Sequence, residues 1–104
     1  MQKFAWVGKV KDGKADEYKR RHDEIWPEMV EVLKNAGIKN YSIWLTGDTL
    51  FGYYECDDID FATKYQAESP VVQKWNVYMD DVLELVRDPK TGMQPKLAQM
   101  FNLD

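Results

Sequence analysis

The segment YKRRHDEIWPEM, residues 18–29, holds the only histidine of the chain. Tyr18 and His22 are four residues apart, so one turn of helix sets the phenol and the imidazole on the same face. An imidazole titrates near pH ~6.5 and moves protons at neutral pH, while a phenol gives or takes a hydrogen bond without changing charge. Pro27 bears on how the pair is aimed. Inside a helix it would cost about 3 kcal/mol, because it has no N–H and its ring meets the carbonyl of Asp23. The chain therefore either kinks there or starts a second helix with Pro27 in its first position, with Glu28 well placed beside the positive helix end. Both arrangements bend the chain within a turn of His22.

A lone histidine on an apolar stripe is more often a packing residue than a catalyst. Tyr18 shifts that balance, since a plain core would carry Leu or Met at its position. Tyr41, in the middle of a strand, adds a third polar tip if its face is the one the helices cover. These residues point to a pocket between helix and sheet. Metal chemistry is disfavoured: one histidine and one cysteine cannot supply three ligands without recruiting carboxylates, and Asp23 and Glu24 point off the stripe. A haem on His22 would want an apolar pocket, of which Tyr18, Arg20 and Arg21 give no sign. There is no glycine-rich phosphate loop, Ser-His-Asp set or nucleotide fingerprint. What remains is acid/base chemistry with no cofactor and no metal. Aromatic residues make up 13% of the chain, and rings suit a sugar, whose flat C–H faces stack on them. Trp6 and Trp44 read as core or interface residues, whereas for Trp75 both uses stay open.

The elements that must position these groups follow from periodicity. Residues 3–10 alternate as a strand, with Phe4, Trp6 and Val10 on one face. Tyr18, His22, Ile25, Met29 and Leu33 then recur at helical steps, and Gly37 closes the helix. Two period-2 runs, KNYSIWL and TLFGYYEC, are joined at Thr46-Gly47-Asp48 as a hairpin, with Tyr41, Ile43 and Leu45 sharing a face. Asp57-Asp58 caps a short helix carrying Phe61, Ala62 and Tyr65. Ser69-Pro70 starts another, with Val71, Trp75, Met79 and Val82 on one stripe. Residues 87–95 read as a loop, and the tail KLAQMFNLD has enough apolar residues to dock. This order fits an α+β fold, a ferredoxin-like antiparallel sheet with helices on one face.

At 104 residues one domain spanning 1–104 is expected. The first strand is apolar on both sides, with Ala5 and Val7 opposite Phe4 and Trp6, so a second copy covering the open face is expected, giving a homodimer. The net charge of −4, with 18 acidic against 14 basic residues, argues against nucleic acid as a partner. No apolar run is long enough for a membrane span, the start MQKF lacks the pattern of a secretory signal, and a cytoplasmic location follows as the expectation. Cys56 reads as a strand residue whose acidic neighbours raise its thiol.

The run YKRRHDEIWPEM, followed by NYSIWL, QKWNVYM and MFNLD, resembles the L-rhamnose mutarotase family over essentially the whole chain. The resemblance implies a dimeric α+β barrel, a monosaccharide substrate, His22 as proton donor, and sugar contacts from Tyr18, Tyr41 and Trp75. The family's usual pattern has two adjacent tryptophans after the Gln-basic pair, and here the second is Asn76. That exchanges a stacking plane for an amide in the sugar site, so a related 6-deoxy or ordinary pyranose is also expected. Mutarotation opens the ring by protonating the ring oxygen and deprotonating the anomeric hydroxyl. Protonated His22 is expected to act as the acid, with Tyr18 or Tyr41 orienting the sugar or relaying the second proton. Two rival readings use the same pocket: a non-catalytic dimeric sugar-binding module, and a cofactor-independent monooxygenase-like or lactone isomerase-like member of the same barrel fold.

Overall fold

Alternation of side chains in the first ten residues produces β1 (Gln2–Val10), with Trp6 and Val10 buried and Phe4 half-buried on the same face. The structure, a computed structural model, describes residues 1–84 and 97–103. The loop expected at 87–95 lies outside the described residues. After β1 come α1 (Ala15–Asp23), α2 (Pro27–Asn35), β2 (Lys39–Thr46), β3 (Thr49–Cys56), α3 (Ile59–Ala67), α4 (Pro70–Met79) and β4 (Leu83–Glu84). The strands form one curled antiparallel sheet in the order β2-β3-β1-β4, the ferredoxin-like arrangement, with the helices on one face.

Proline decides the break between the first two helices. Trp26 is extended at φ −61°, ψ 136°, and Pro27 takes the first position of α2; the chain is therefore two helices with a corner, not one kinked helix. Asp58 caps α3 by accepting from the Phe61 N–H at 3.1 Å, and Ser69 caps α4 by accepting from Val72. Helix α4 stops at Met79, short of the expected Val82. Val82 instead sits in the following turn, fully buried, its carbonyl accepting from the Lys11 N–H at 2.9 Å. That bond leads into β4, whose two residues are too few to show a period in sequence.

In β2 the register carries an irregularity that matters for the site. Thr46 pairs with Thr49 across the two-residue Gly47-Asp48 connection, and Ser42 faces Tyr53, but Lys39 faces Glu55. One residue is thus extra between Lys39 and Ser42, and Asn40 absorbs it at φ +52° while its side-chain amide donates to Glu55 at 2.6 Å. Ile38 and Tyr41 are three residues apart and would fall on opposite faces of a regular strand. The bulge turns both toward the helices: Ile38 packs in a cluster with Cys56 and Ala62, and the Tyr41 ring lies 5.1 Å from that of Tyr54.

The core lies between sheet and helices in two adjoining clusters, one around Trp6, Leu50, Trp75 and Met79, the other around Tyr54, Cys56 and Ala62. Cys56 is a buried strand residue whose thiol is pushed up, first by burial. On the other face the apolar surface is open, with Trp44 69% and Phe51 39% exposed. The tail runs beside β1: the Leu97 N–H donates to the Ala5 carbonyl at 3.0 Å and Lys3 Nζ donates to Asn102 Oδ1. Its apolar residues Met100, Phe101 and Leu103 nevertheless remain exposed. No helix among the described residues is long and apolar enough to cross a membrane.

Candidate active site

Between the helix layer and the sheet lies a cavity of about 900 Å³, and every residue singled out in the sequence, Tyr18, His22, Tyr41, Trp75 and Asn76, lines it. Helix α1 supplies the first two. The His22 ring stacks on Tyr18 at 4.4 Å between centroids and meets the Trp75 ring edge-on at 5.5 Å. Nδ1 of His22 lies 3.0 Å from the Tyr18 carbonyl oxygen. A carbonyl only accepts, so Nδ1 carries the proton in this pairing and Nε2 is the nitrogen left to act on a ligand. Burial lowers the His22 pKa below its usual value, opposed in part by that carbonyl and by the Asp23 charge. That shift favours the neutral imidazole at neutral pH, whereas the sequence expectation starts from a protonated acid.

The two phenols are shifted the other way. Burial raises the Tyr18 pKa well above the ordinary tyrosine range and pushes that of Tyr41 up to about 12. Both stay neutral and can donate. Tyr41 is 37% exposed as a residue of the edge strand, yet its hydroxyl is turned inward and accepts from Trp6 Nε1 at 3.2 Å. Trp75 is buried on α4 and Asn76, the next residue, is exposed at the cavity rim.

An ion-pair cluster sets α1 against α4. The Arg21 side chain, only 11% exposed, bonds Glu17 at 2.7 Å, both carboxylate oxygens of Asp81 at 2.7 and 3.2 Å, and the Tyr78 carbonyl at 2.7 Å. Its guanidinium also lies 4.5 Å from the Tyr78 ring centroid. Trp26, at the corner before Pro27, meets Trp75 at 5.1 Å and Tyr78 at 5.3 Å. The aromatic wall beside His22 is thereby braced from two sides.

Sequence reasoning missed the cavity roles of Trp6 and Tyr54, both of which line it. Trp6 reads as core because it is core. The signal for more was Gly52, a glycine inside a strand, which marks a close approach by another group. Among the described residues no group of three His, Cys, Asp or Glu side chains could hold a metal.

Fold and site together define a ferredoxin-like α+β protein with a cavity between its helices and its sheet, lined by an imidazole and two phenols. The family model described as L-rhamnose mutarotase matches residues 3–103. Curated L-rhamnose mutarotases from Oceanobacillus iheyensis and Sinorhizobium fredii are 40% and 41% identical, over 100% and 99% of both chains. A crystal structure of an L-rhamnose mutarotase from Formosa agariphila superposes with a TM-score of 0.83 at 27% identity, covering 100% of each chain. A tetracenomycin F2 cyclase from Streptomyces glaucescens, at TM-score 0.72 and 16% identity over 100% of this chain and 98% of its own, shares the fold. The chain belongs to the L-rhamnose mutarotase family. It is an isomerase, and its reaction is the exchange of a sugar between anomers.

Proposed function

We propose that this protein interconverts the α and β anomers of L-rhamnose or a closely related pyranose through the open-chain aldehyde, with His22 as the one proton-transferring side chain. The observation that carries the reading is the half-buried imidazole with Nδ1 committed to the Tyr18 carbonyl, its pKa lowered by burial. Nε2 takes the proton of the anomeric hydroxyl, the C1–ring oxygen bond breaks, and the imidazolium so formed gives its proton to the ring oxygen, which hangs from the same carbon. After the C1 carbonyl has rotated, the same steps in reverse close the ring on its other face. Net, no proton is gained or lost. His22 is thus the donor to the ring oxygen, but only after acting as a base. Tyr18 and Tyr41, kept neutral by burial, hold sugar oxygens by donation, and Trp75 supplies the apolar plane. NMR of the anomeric protons of L-rhamnose tests the reading: exchange accelerated by catalytic amounts of protein supports it, and unchanged exchange for L-rhamnose and related pyranoses leaves only a binding module.

Asn76 bears on which sugar is preferred. Asn76→Trp replaces an amide at the rim with a stacking plane, and the ratio of kcat/KM between L-rhamnose and its analogues with other C5 substituents is expected to shift in favour of L-rhamnose by about tenfold, the scale of one stacked ring. A panel of pyranoses assayed with both proteins checks this.

The homodimer belongs to the same proposal. Trp44 and Phe51 on the open sheet face, with the exposed tail residue Phe101 beside Ala5 and Tyr53, present apolar surface that a second copy would cover. Light scattering at micromolar concentration is expected to give twice the chain mass, and Phe51→Asp to halve it. A monomer mass for the unaltered chain would overturn the idea. A free, buried Cys56 fits a reducing cytoplasm.

A further inference from the structure

Trp6 lies flat across the sheet because two glycines give it room. A Cβ added at Gly52, its partner across β3, would fall 2.0 Å from Trp6 Cε2 and 2.1 Å from Nε1, and one added at Gly8 would fall 3.1 Å from Cζ3. The indole therefore crosses β3 toward β2, where Ile43 is the next residue in register with Gly52, and its N–H reaches the Tyr41 oxygen at 3.2 Å. A phenol has one proton to give and an oxygen that accepts. With the oxygen engaged by the indole, the proton is what Tyr41 has left for the cavity.

We propose that Trp6 is a positioning residue that, seated on Gly8 and Gly52, fixes Tyr41 as a hydrogen-bond donor, so that Tyr41 reads an acceptor oxygen of the substrate. The proposal rests on the mutarotase reading for its substrate, while the Trp6–Tyr41 bond is testable without it. Trp6→Phe keeps an aromatic floor and removes the donor; Tyr41→Phe removes the acceptor and the hydroxyl together.

The experiment measures the KM of anomer exchange for L-rhamnose in both single variants and the double variant, alongside the indole N–H resonances of ¹⁵N-labelled protein. Trp6→Phe is expected to raise KM about fivefold, the scale of one neutral hydrogen bond, with kcat changed less. The double variant is expected to be no worse than Tyr41→Phe alone, since Trp6 acts through that hydroxyl. In Tyr41→Phe the Trp6 indole N–H resonance should move as its acceptor is lost. Independent, multiplying losses in the double variant, or an unmoved indole resonance, would overturn the proposal. Should the unaltered protein accelerate no sugar, the mutarotase reading fails, and the indole resonance still decides the bond.

Discussion

His22→Ala is expected to abolish most of the acceleration of anomer exchange, by a factor of about 10²–10⁴, the usual contribution of a positioned acid/base group. The variant should stay folded, because the ring is a half-buried edge of the core rather than its centre. A pH profile of the unaltered protein separates the two ways an imidazole could begin the reaction. Burial depresses the His22 pKa below about 6.5, so a neutral imidazole acting first gives a rate that is flat at neutral and alkaline pH and falls on acidification through that depressed value. An imidazolium acting first would give a rate that rises as the pH falls, and that result would refute the base-first sequence. The same shift carries a stability sign. Between the ordinary histidine value and the depressed one, the unfolded chain binds more protons than the folded one, so stability is lost as pH falls through this window. His22→Ala should lack that component of the acid slope in a denaturation series.

Gly52→Ala is the substitution with the largest expected effect on stability. Its methyl would lie 2.0 Å from the Trp6 ring, against atoms that belong to a buried indole and not to a flexible chain end. The indole must leave its seat, disturbing the cluster it forms with Leu50, Trp75 and Met79. Overpacking of this kind costs about 1–3 kcal/mol, and for a chain of this size ~3 kcal/mol corresponds to roughly 10–20 °C in Tm. Sugar affinity should fall with it, since Trp6 Nε1 is carried away from Tyr41. A double-mutant cycle checks the cause: in a Trp6→Ala background, already less stable, the added Gly52→Ala should cost little further. An equal cost in both backgrounds would mean the glycine serves its own backbone.

Much of this was legible in the chain, for reasons that differ by residue. The stripe from Tyr18 to Leu33 showed at helical period, Pro27 marked the corner, and the Asp58 and Ser69 caps fell where their side chains could reach a free N–H. Local rules govern such features, and local rules can be read. Tyr41 is the opposite case: its pattern allowed either face, and only pairing with β3 through the Asn40 bulge turned it inward. The end of α4 at Met79 and the two residues of β4 were equally hidden, because Val82 keeps the apolar spacing of a helix while its backbone bonds to Lys11 instead. The direction of the His22 pKa shift was out of reach because the depth of its burial depends on the neighbours, Trp75 among them, that the fold brings to it.

The bulge also means that residue count is constrained between α2 and the hairpin, independently of which residues are used. Ile38 is anchored on one side by the end of α2 and Tyr41 on the other by the Gly47-Asp48 turn, and both must face the helices. Removing the bulged Asn40 would leave a smooth strand in which Ile38 and Tyr41 stand two residues apart and still share the helix-facing side. Removing both Lys39 and Asn40 would make the two adjacent and turn one of them to the opposite face. In this stretch the chain should therefore tolerate loss of the one bulged residue far better than loss of two.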